Sequence, residues 1–531
     1  MKFKPVLLIV LDGWGLGDGG PSDAIAQAHT PHFDFLWNNY ARTQLCTHGH
    51  HVGLPAKKDL GGSEVGHLTM GAGQILDQGP TRINKAIKDG SFFQSSAMKT
   101  VFSRSQNQGA LHLVGLLSDG NIHAHIDHFI AMVEHAYQLK VPKLRLHVLL
   151  DGRDVAIQTA HVYVQRMQQL FAQCEGVDYA LASGVGRELM TMDRDQDWSK
   201  VQAGWQLMVH GEAEHQYQDP LEAIVSFRMQ KPDLIDQDMP AFVVVDEEGE
   251  AIGRIQDGDS VVMMNFRADR AIEMTEAFCV DNFSDFDRGQ RPDIFFAGMM
   301  VYDEDRNLPE NQLMTSTKVA EPFGKRLVEA GLKQFRLTET QKFPHVTFFF
   351  NGGYRKPLDA SLEDYILISS DKGISFADKP EMKAAEIAQT CVSLLEKQEY
   401  DFGLINFANA DMVGHCGDIK ATILAVEAVD AALKEITDAL KKVGGAALIT
   451  ADHGNADAMI HHASHGDEPS TKHSINPVPC VLFDPEYSSD YTLSQDIEGE
   501  SAGLANIAAT LFEMLGLDVP EDLERSLVCN K

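Results

Sequence analysis

Short, continuous apolar runs that stop at a polar or charged residue recur along this chain, and they limit its fold more than any other feature. They include VLLIVLD (6–12), LHLVGLLSDG (111–120), LRLHVLLDGRD (144–154), SVVMMNFRADR (260–270), DYILISSD (364–371), FGLINFANAD (402–411) and AALITADHGN (446–455). Runs of this length read as strands buried on both faces, as in parallel sheets. Between several of them lie helix-like segments such as KAAEIAQTCVSLLEKQ and ATILAVEAVDAALKEITDALKKV. The second has a heptad-like apolar spacing and ends in Lys-Lys before Gly-Gly, a C-terminal stop. Strands alternating with helices predict an α/β protein.

At 531 residues the chain is too long for one core, so two or more domains are expected. Its 44% hydrophobic content is ordinary for globular domains. A net charge of −32 repels nucleic acid and anionic membranes, and excludes both as partners. It also repels anionic small molecules at long range, so an enzyme acting on them needs a local cluster of Arg and Lys. The seven cysteines are odd in number, widely spaced and without a CxxC pair. That predicts free thiols in a reducing compartment. The N-terminal apolar run is short, has no small-residue cleavage site after it and ends in Asp12, so it reads as a strand and not as a signal peptide. No other stretch is long enough to span a bilayer. The expected location is cytoplasmic.

In open α/β sheets, ligands bind beyond the carboxyl ends of the strands. Here the runs end in Asp12, Asp119, Asp151 to Asp154, Arg267 to Arg270, Asp411 and Asp452. Asp12, Asp411 and Asp452 come from the two ends of the chain and the others from its middle. A sheet domain split by an inserted second domain accounts for this, with crossings near 77–83 and 310–318. The expected division is 1–77 with 317–531 for the split domain and 78–316 for the insert.

Asp411 and His415 lie four apart just after a strand, so a helical turn there puts both side chains on one face. Asp452 and His453 precede Gly-Asn at a tight turn, His473 lies in a loop before a Pro-restrained stretch, and Asp12 ends the first strand. Mixed Asp/His ligation suits Mn²⁺, Zn²⁺ or Co²⁺ better than Mg²⁺. Three carboxylates, three imidazoles and a serine oxygen suffice for two ions with open positions, a device for phosphoryl transfer. The bland alternatives are a helix-surface pair for Asp411 and His415 and a plain turn for Asp452 and His453. The remaining clusters, HGHH at 48–51 and His461, His462 and His465, read as solvated loops. In GGSEVGHLTMGAG (61–73) the glycines let backbone approach a ligand. Ser63 there is either a helix cap or a nucleophile, and as a nucleophile it needs cations to activate it.

These residues follow the order seen in the alkaline phosphatase superfamily. SEVGH with TMGAG, GLLSDGNIHAHIDH, LDGRD, MDRD, NFRADR, KFPHVTFFFNGG, DMVGH, TADHGN and HSINPVP together resemble the cofactor-independent phosphoglycerate mutases, over nearly the whole chain. The resemblance implies an alkaline-phosphatase-like parallel-sheet domain that binds metal, split by an inserted α/β transferase domain that binds substrate. It implies interconversion of 3-phosphoglycerate and 2-phosphoglycerate through a phosphoserine at Ser63, independent of 2,3-bisphosphoglycerate. One ion would be held by Asp411, His415 and His473, the other by Asp12, Asp452, His453 and the Ser63 oxygen. Both are expected to be Mn²⁺, with Co²⁺, Zn²⁺ or Mg²⁺ as alternatives. Substrate residues would be His123, Arg153, Asp154, Arg187, Arg194, Arg267, Arg270 and Lys342, with His123 and Asp154 handling protons. The small-molecule substrate is the only partner expected, and family analogy makes the chain a monomer.

Gly62 stands where many members have Asn, Asn121 where many have Gly, and Ala410 where many have Pro. Arg187 and Arg194 are one position further apart than in many bacterial members, like the branch containing plant enzymes. Arg267 and Arg270, three apart, are expected on a first helical turn, sharing a face in a local positive island. A metal-dependent phosphomonoesterase is the alternative enzyme. A catalytically silent metal-binding protein is a third reading, at odds with a serine and ligand set that are complete.

Overall fold

The first apolar run becomes the middle of a sheet because neither of its faces is polar. Val6–Leu11 is buried along its whole length. Val6 pairs with Phe402 on one side and with Ala446 on the other, both in parallel. A computed structural model describes residues 2–107, 109–193, 196–303, 306–315, 318–463, 466–497 and 499–530, apart from the side chains of 462, 463, 466 and 467. The chain divides into two compact units, Met1–Gln78 with Thr317–Lys531, and Gly79–Ser316.

The first unit holds a seven-stranded sheet in the spatial order Glu363–Ile368, Gln334–Glu339, Phe402–Phe407, Val6–Leu11, Ala446–Thr450, Val478–Phe483 and Ala41–Leu45. The first five are mutually parallel, and Val478–Phe483 is antiparallel to both of its neighbours, Ala446–Thr450 and Ala41–Leu45. One expectation needs correcting. Glu363–Ile368 lies at the sheet edge with most of its residues half-buried, and Leu367 is 46% exposed, so this run is not buried on both faces.

Helices cover the sheet where the sequence gives them an apolar stripe. Ile419–Val443 starts at Asp418, whose side chain accepts from the amides of Lys420 and Ala421. It stops at Gly444, where φ is +72° and a side chain would be strained. Its buried face, including Val426, Val429, Leu433, Ile436 and Leu440, joins the same core as Ile387 and Leu394 of the helix Ala384–Lys397. Each large apolar side chain sealed here contributes about 1.5–3 kcal/mol relative to exposure.

The second unit repeats the plan. Its sheet runs His215–Tyr217, Phe242–Val244, Asp178–Gly186, Lys143–Leu150, Leu111–Leu116, Ser260–Met263 and Phe295–Gly298. All pairings are parallel except Asp178–Gly186 with Phe242–Val244. Its core is separate and includes Leu113, Phe129, Leu146, Val185 and Phe242. The fold class is α/β with a parallel sheet in each unit. Among the described residues no helix is long and apolar enough to cross a membrane.

Candidate metal centre and guanidinium cluster

Three adjacent parallel strands of the first unit deliver the candidate ligands. Asp12 follows Val6–Leu11, Asp411 stands on the short helix Asn409–Gly414 after Phe402–Phe407, and Asp452 follows Ala446–Thr450. The turn at Gly13 has φ of +77° and lets the Asp411 backbone come so close that a β-carbon there would lie 2.7 Å from Asp411 Cα. Only glycine fits that approach.

Asp411 and His415 do share a helical face, with Oδ1 3.2 Å from Nε2. His473 Nε2 lies 3.3 Å from the same oxygen and 3.2 Å from His415 Nε2. Each ring gives its Nδ1 proton to a carbonyl at 2.7 Å, His415 to Thr471 and His473 to Gly61. That fixes both tautomers, so two Nε2 lone pairs and a carboxylate oxygen face one point. Lone pairs converging in this way call for a cation. Asp452 Oδ2 gives a second sign, being buried with no hydrogen-bond partner among the described residues. Three groups have ligand atoms mutually within 4.8 Å: Asp411, His415 and His473; Asp12, Asp411 and His453; and Asp12, His67 and Asp452. Carboxylate and imidazole donors in this number fit two divalent ions of the Mn²⁺, Co²⁺ or Zn²⁺ type.

Ser63 opens the helix Ser63–Ala72 but does not cap it, since Gly62 is the cap residue and makes no side-chain bond. The hydroxyl instead turns to the acidic cluster. It lies 3.1 Å from Asp12 Oδ1 and 3.0 Å from His453 Nε2, and accepts from Lys342 Nζ at 2.6 Å. Lys342 also donates to Asp12 and Asp411, each at 2.7 Å.

The electrostatics follow from burial. Desolvation, with Asp452 beside it, raises the Asp12 carboxyl to about 7. Burial also disfavours the charged form of Asp411, but the Lys342 ammonium and the His415 ring hold it well below the usual carboxylate range. Burial likewise opposes ionisation of Asp452, and the His453 and His67 rings overcome it. His453 is pushed down to about 4 by burial, despite the pull of Asp452. Burial alone would discharge Lys342, yet Asp12, Asp411 and Asp452 hold its pKa above the usual lysine range.

The substrate residues named from sequence divide between the units. Lys342 belongs to this buried cluster. His123, Arg153, Asp154, Arg187, Arg267 and Arg270 belong to the second unit, in loops beyond the carboxyl ends of its strands. Arg194 lies outside the described residues, as does His465. Arg187 is buried and its Nη1 reaches Asp151 Oδ1 at 2.9 Å and Asp154 Oδ2 at 2.5 Å. Asp151 also accepts from Ser118 and from the amides of Arg153 and Asp154, which shapes the loop. Arg153 Nη1 meets Glu188 Oε1 at 3.0 Å, and Arg267 Nε meets Asp269 Oδ1 at 3.2 Å. Burial first, then Arg187, Arg267, Arg270 and Arg153, push the His123 ring down to about 2, so it is neutral near pH 7.

Two expectations for this cluster are corrected. Arg267 and Arg270 are not on a helical turn. The helix begins at Ile272 and an irregular turn precedes it, leaving Arg267 half-exposed while Arg270 is buried against the Met192 carbonyl. Nor is there a bare positive island, because Arg153, Arg187 and Arg267 each have a carboxylate in contact. Asn121 sits at φ +58°, a left-handed turn that Asn and Gly tolerate, which explains that exchange. The HGHH segment forms a short helical turn, Gly49–Val52, with His48 and His51 half-buried rather than free in solvent. His461 is exposed, and the side chain of His462 is outside the description.

Several residues of the centre escaped the sequence reading. His67 is fully buried, donates Nδ1–H to the Ser63 carbonyl at 2.9 Å and stands 3.4 Å from Asp452 Oδ2. Asn406 donates to Asp12 Oδ2 at 2.8 Å and faces His67 Nε2 at 3.2 Å. Asn455 donates to Asp411 Oδ1 at 2.9 Å. A signal was available for His67, because Ser63 and His67 have the same four-residue spacing that singled out Asp411 and His415.

Comparison with known proteins agrees with this geometry. The model of the metalloenzyme superfamily matches residues 4–519. A probable 2,3-bisphosphoglycerate-independent phosphoglycerate mutase of Leptospira interrogans is 42% identical, covering 100% of this chain and 98% of its own. A probable enzyme of the same name from Arabidopsis thaliana is 40% identical over 99% of this chain and 96% of its own. The crystal structure of Leishmania mexicana phosphoglycerate mutase at low cobalt concentration superposes with a TM-score of 0.80 at 39% identity, covering 100% of this chain and 98% of that one. Matches of this extent make the chain a member of the 2,3-bisphosphoglycerate-independent phosphoglycerate mutase family, within the metalloenzyme superfamily.

Proposed function

We propose that this chain interconverts 3-phosphoglycerate and 2-phosphoglycerate through a phosphoserine at Ser63, without 2,3-bisphosphoglycerate. The observation that carries this reading is the Ser63 hydroxyl, released from helix capping and held among Asp12, His453 and Lys342. One divalent ion would be held by Asp411, His415 and His473, the other by Asp12, Asp452, His453 and the Ser63 oxygen. Such ions, when bound, lower the pKa of the serine hydroxyl and neutralise charge on a transferring phosphoryl group. Mixed imidazole and carboxylate donors in both sets suit Mn²⁺, Co²⁺ or Zn²⁺, and Mn²⁺ is the ion proposed.

Ser63 Oγ attacks the phosphorus of 3-phosphoglycerate, the P–O bond to the 3-oxygen breaks, and glycerate is left with a new hydroxyl. The Lys342 ammonium neutralises phosphoryl charge as it develops, and its neighbours keep it protonated at working pH. Arg153, Arg187, Arg194, Arg267 and Arg270 of the inserted unit hold the carboxylate and phosphate of the substrate. Asp151 and Asp154 fix the Arg187 guanidinium in one orientation. The 2-hydroxyl of glycerate then takes the phosphoryl group from Ser63. The Ser63 proton passes to the departing 3-oxygen in the first transfer and the 2-hydroxyl proton passes back to Ser63 in the second, with Asp154 as the acceptor and the neutral His123 ring positioning the hydroxyl by a hydrogen bond. Unit 1–78 with 317–531 is thus the metal-bearing domain and unit 79–316 the substrate domain. The chain works as a monomer in the cytoplasm, a reducing setting that its unpaired cysteines support.

The test is a product assay. Mn²⁺-loaded protein given 3-phosphoglycerate alone is expected to form 2-phosphoglycerate without free phosphate, and EDTA is expected to abolish this. Free phosphate without isomer would make the chain a phosphomonoesterase.

A further inference from the structure

The arginines of the second unit are not equivalent. Arg187 is buried against Asp151 and Asp154 and is a fixed part of the loop. Arg153, about half-exposed, rests on Glu188 Oε1 at 3.0 Å, and the same oxygen lies 3.8 Å from Arg270 Nη1. One carboxylate therefore faces two guanidiniums that come from different loops. The Glu188 backbone is anchored, its amide donating to the Gln237 carbonyl at 3.1 Å. Its side chain is 27% exposed, against 1% for Asp151, so it can swing away while the loop stays in place.

We propose that Glu188 is an internal competitor for the substrate anion. It sits on Arg153 and beside Arg270 until phosphoglycerate displaces it, and so sets the affinity of the site. The inference rests on the assignment of Arg153 and Arg270 to substrate binding made above. The chemistry is one of like groups. A side-chain carboxylate and the carboxylate or phosphate of phosphoglycerate seek the same planar guanidinium donors, and two anions cannot share them without repulsion. An ion pair this exposed is weak, so displacement is available to a multiply charged ligand. Such a residue reduces apparent affinity without entering the chemical step, a change in KM rather than in kcat.

The experiment uses the full, Mn²⁺-loaded chain with Glu188→Gln, Glu188→Ala and Arg153→Ala. KM and kcat for 3-phosphoglycerate are measured on each. The dissociation constant is measured calorimetrically on the same variants carrying Ser63→Ala. Both Glu188 variants are expected to bind about fivefold tighter, with KM falling and kcat unchanged. Binding that is unchanged or weaker in either variant overturns the proposal, and Glu188 is then a strut for Arg153. Arg153→Ala is expected to weaken binding about tenfold or more. If it leaves binding unchanged, the assignment of Arg153 to substrate fails instead, and the two failures are told apart.

Discussion

The two sheets end in clusters of different charge balance. Beyond the strands of the first unit, the carboxylates Asp12, Asp411 and Asp452 surround the single ammonium of Lys342, and the imidazoles beside them offer lone pairs. That cluster is short of positive charge and is completed by metal cations. Beyond the strands of the second unit, guanidiniums rest on carboxylates of the same unit, Arg153 and Arg187 across neighbouring loops and Arg267 within its own. That cluster is balanced internally, and a ligand enters it by exchanging one anion for another. The same architecture thus supports binding by completion in one unit and binding by exchange in the other. Lone-pair convergence marks the first kind of site and paired charge the second.

The comparison breaks most visibly at Ser63. Ser63→Ala is expected to lower the isomerisation rate by about ten-thousandfold or more, because the proposed scheme passes the phosphoryl group through that hydroxyl. A coupled assay for 2-phosphoglycerate reads this, and appreciable residual turnover would remove phosphoserine from the scheme. A smaller effect is expected at His67, which touches both the Ser63 carbonyl and Asp452. His67→Gln should weaken metal binding about 10- to 100-fold, as losses of supporting partners around ligands do. Titration with Co²⁺ followed by absorbance measures it, and unchanged affinity would reduce His67 to packing.

The smallest effect sharpens the contrast from the side of the second unit. Burial pushes the His128 ring there down to about 3, below its ordinary 6.5. Its Nε2 is bonded to Asn84 at 2.9 Å, while its buried Nδ1 has no acceptor for an added proton among the described residues. The fold therefore favours the neutral ring and the unfolded chain takes up the proton first. The stability this gives is whole above the unfolded pKa and is lost as pH falls from 6.5 towards 3. Between pH 7 and 5 the loss is about 2 kcal/mol at most. Urea midpoints at the two pH values should fall less in His128→Gln than in the parent chain. An equal fall in both would show that the ring titrates freely.

The sheet-forming runs were legible because strands with apolar residues on both faces leave an unmistakable pattern, as Val6–Leu11 and Phe402–Phe407 do. Strands without it were missed. Gln334–Glu339 carries Arg336 inward, where it pairs with Glu363 at 3.1 Å, and no period or run announces it. Ala41–Leu45, at the antiparallel edge, alternates exposed and buried residues and is short. In the candidate site, residues at strand ends stood out because a charge after an apolar run has no role in the core. The partners of those residues did not. Asn406 lies inside a strand and Glu188 one position past a noted arginine, and what gives each its importance is a neighbour distant in sequence. Such three-dimensional pairs leave no local mark.

The central strand of the first unit has a consequence for synthesis on the ribosome. Val6–Leu11 is translated long before its partners at Phe402 and Ala446. At about 5–20 residues per second this apolar strand waits unpaired for on the order of twenty seconds to more than a minute. The inserted unit, continuous from Gly79 to Ser316, has all its strands on hand well before then. The unit that holds Val6–Leu11 is therefore completed after the inserted one, and the hazard of aggregation during translation falls on that waiting strand.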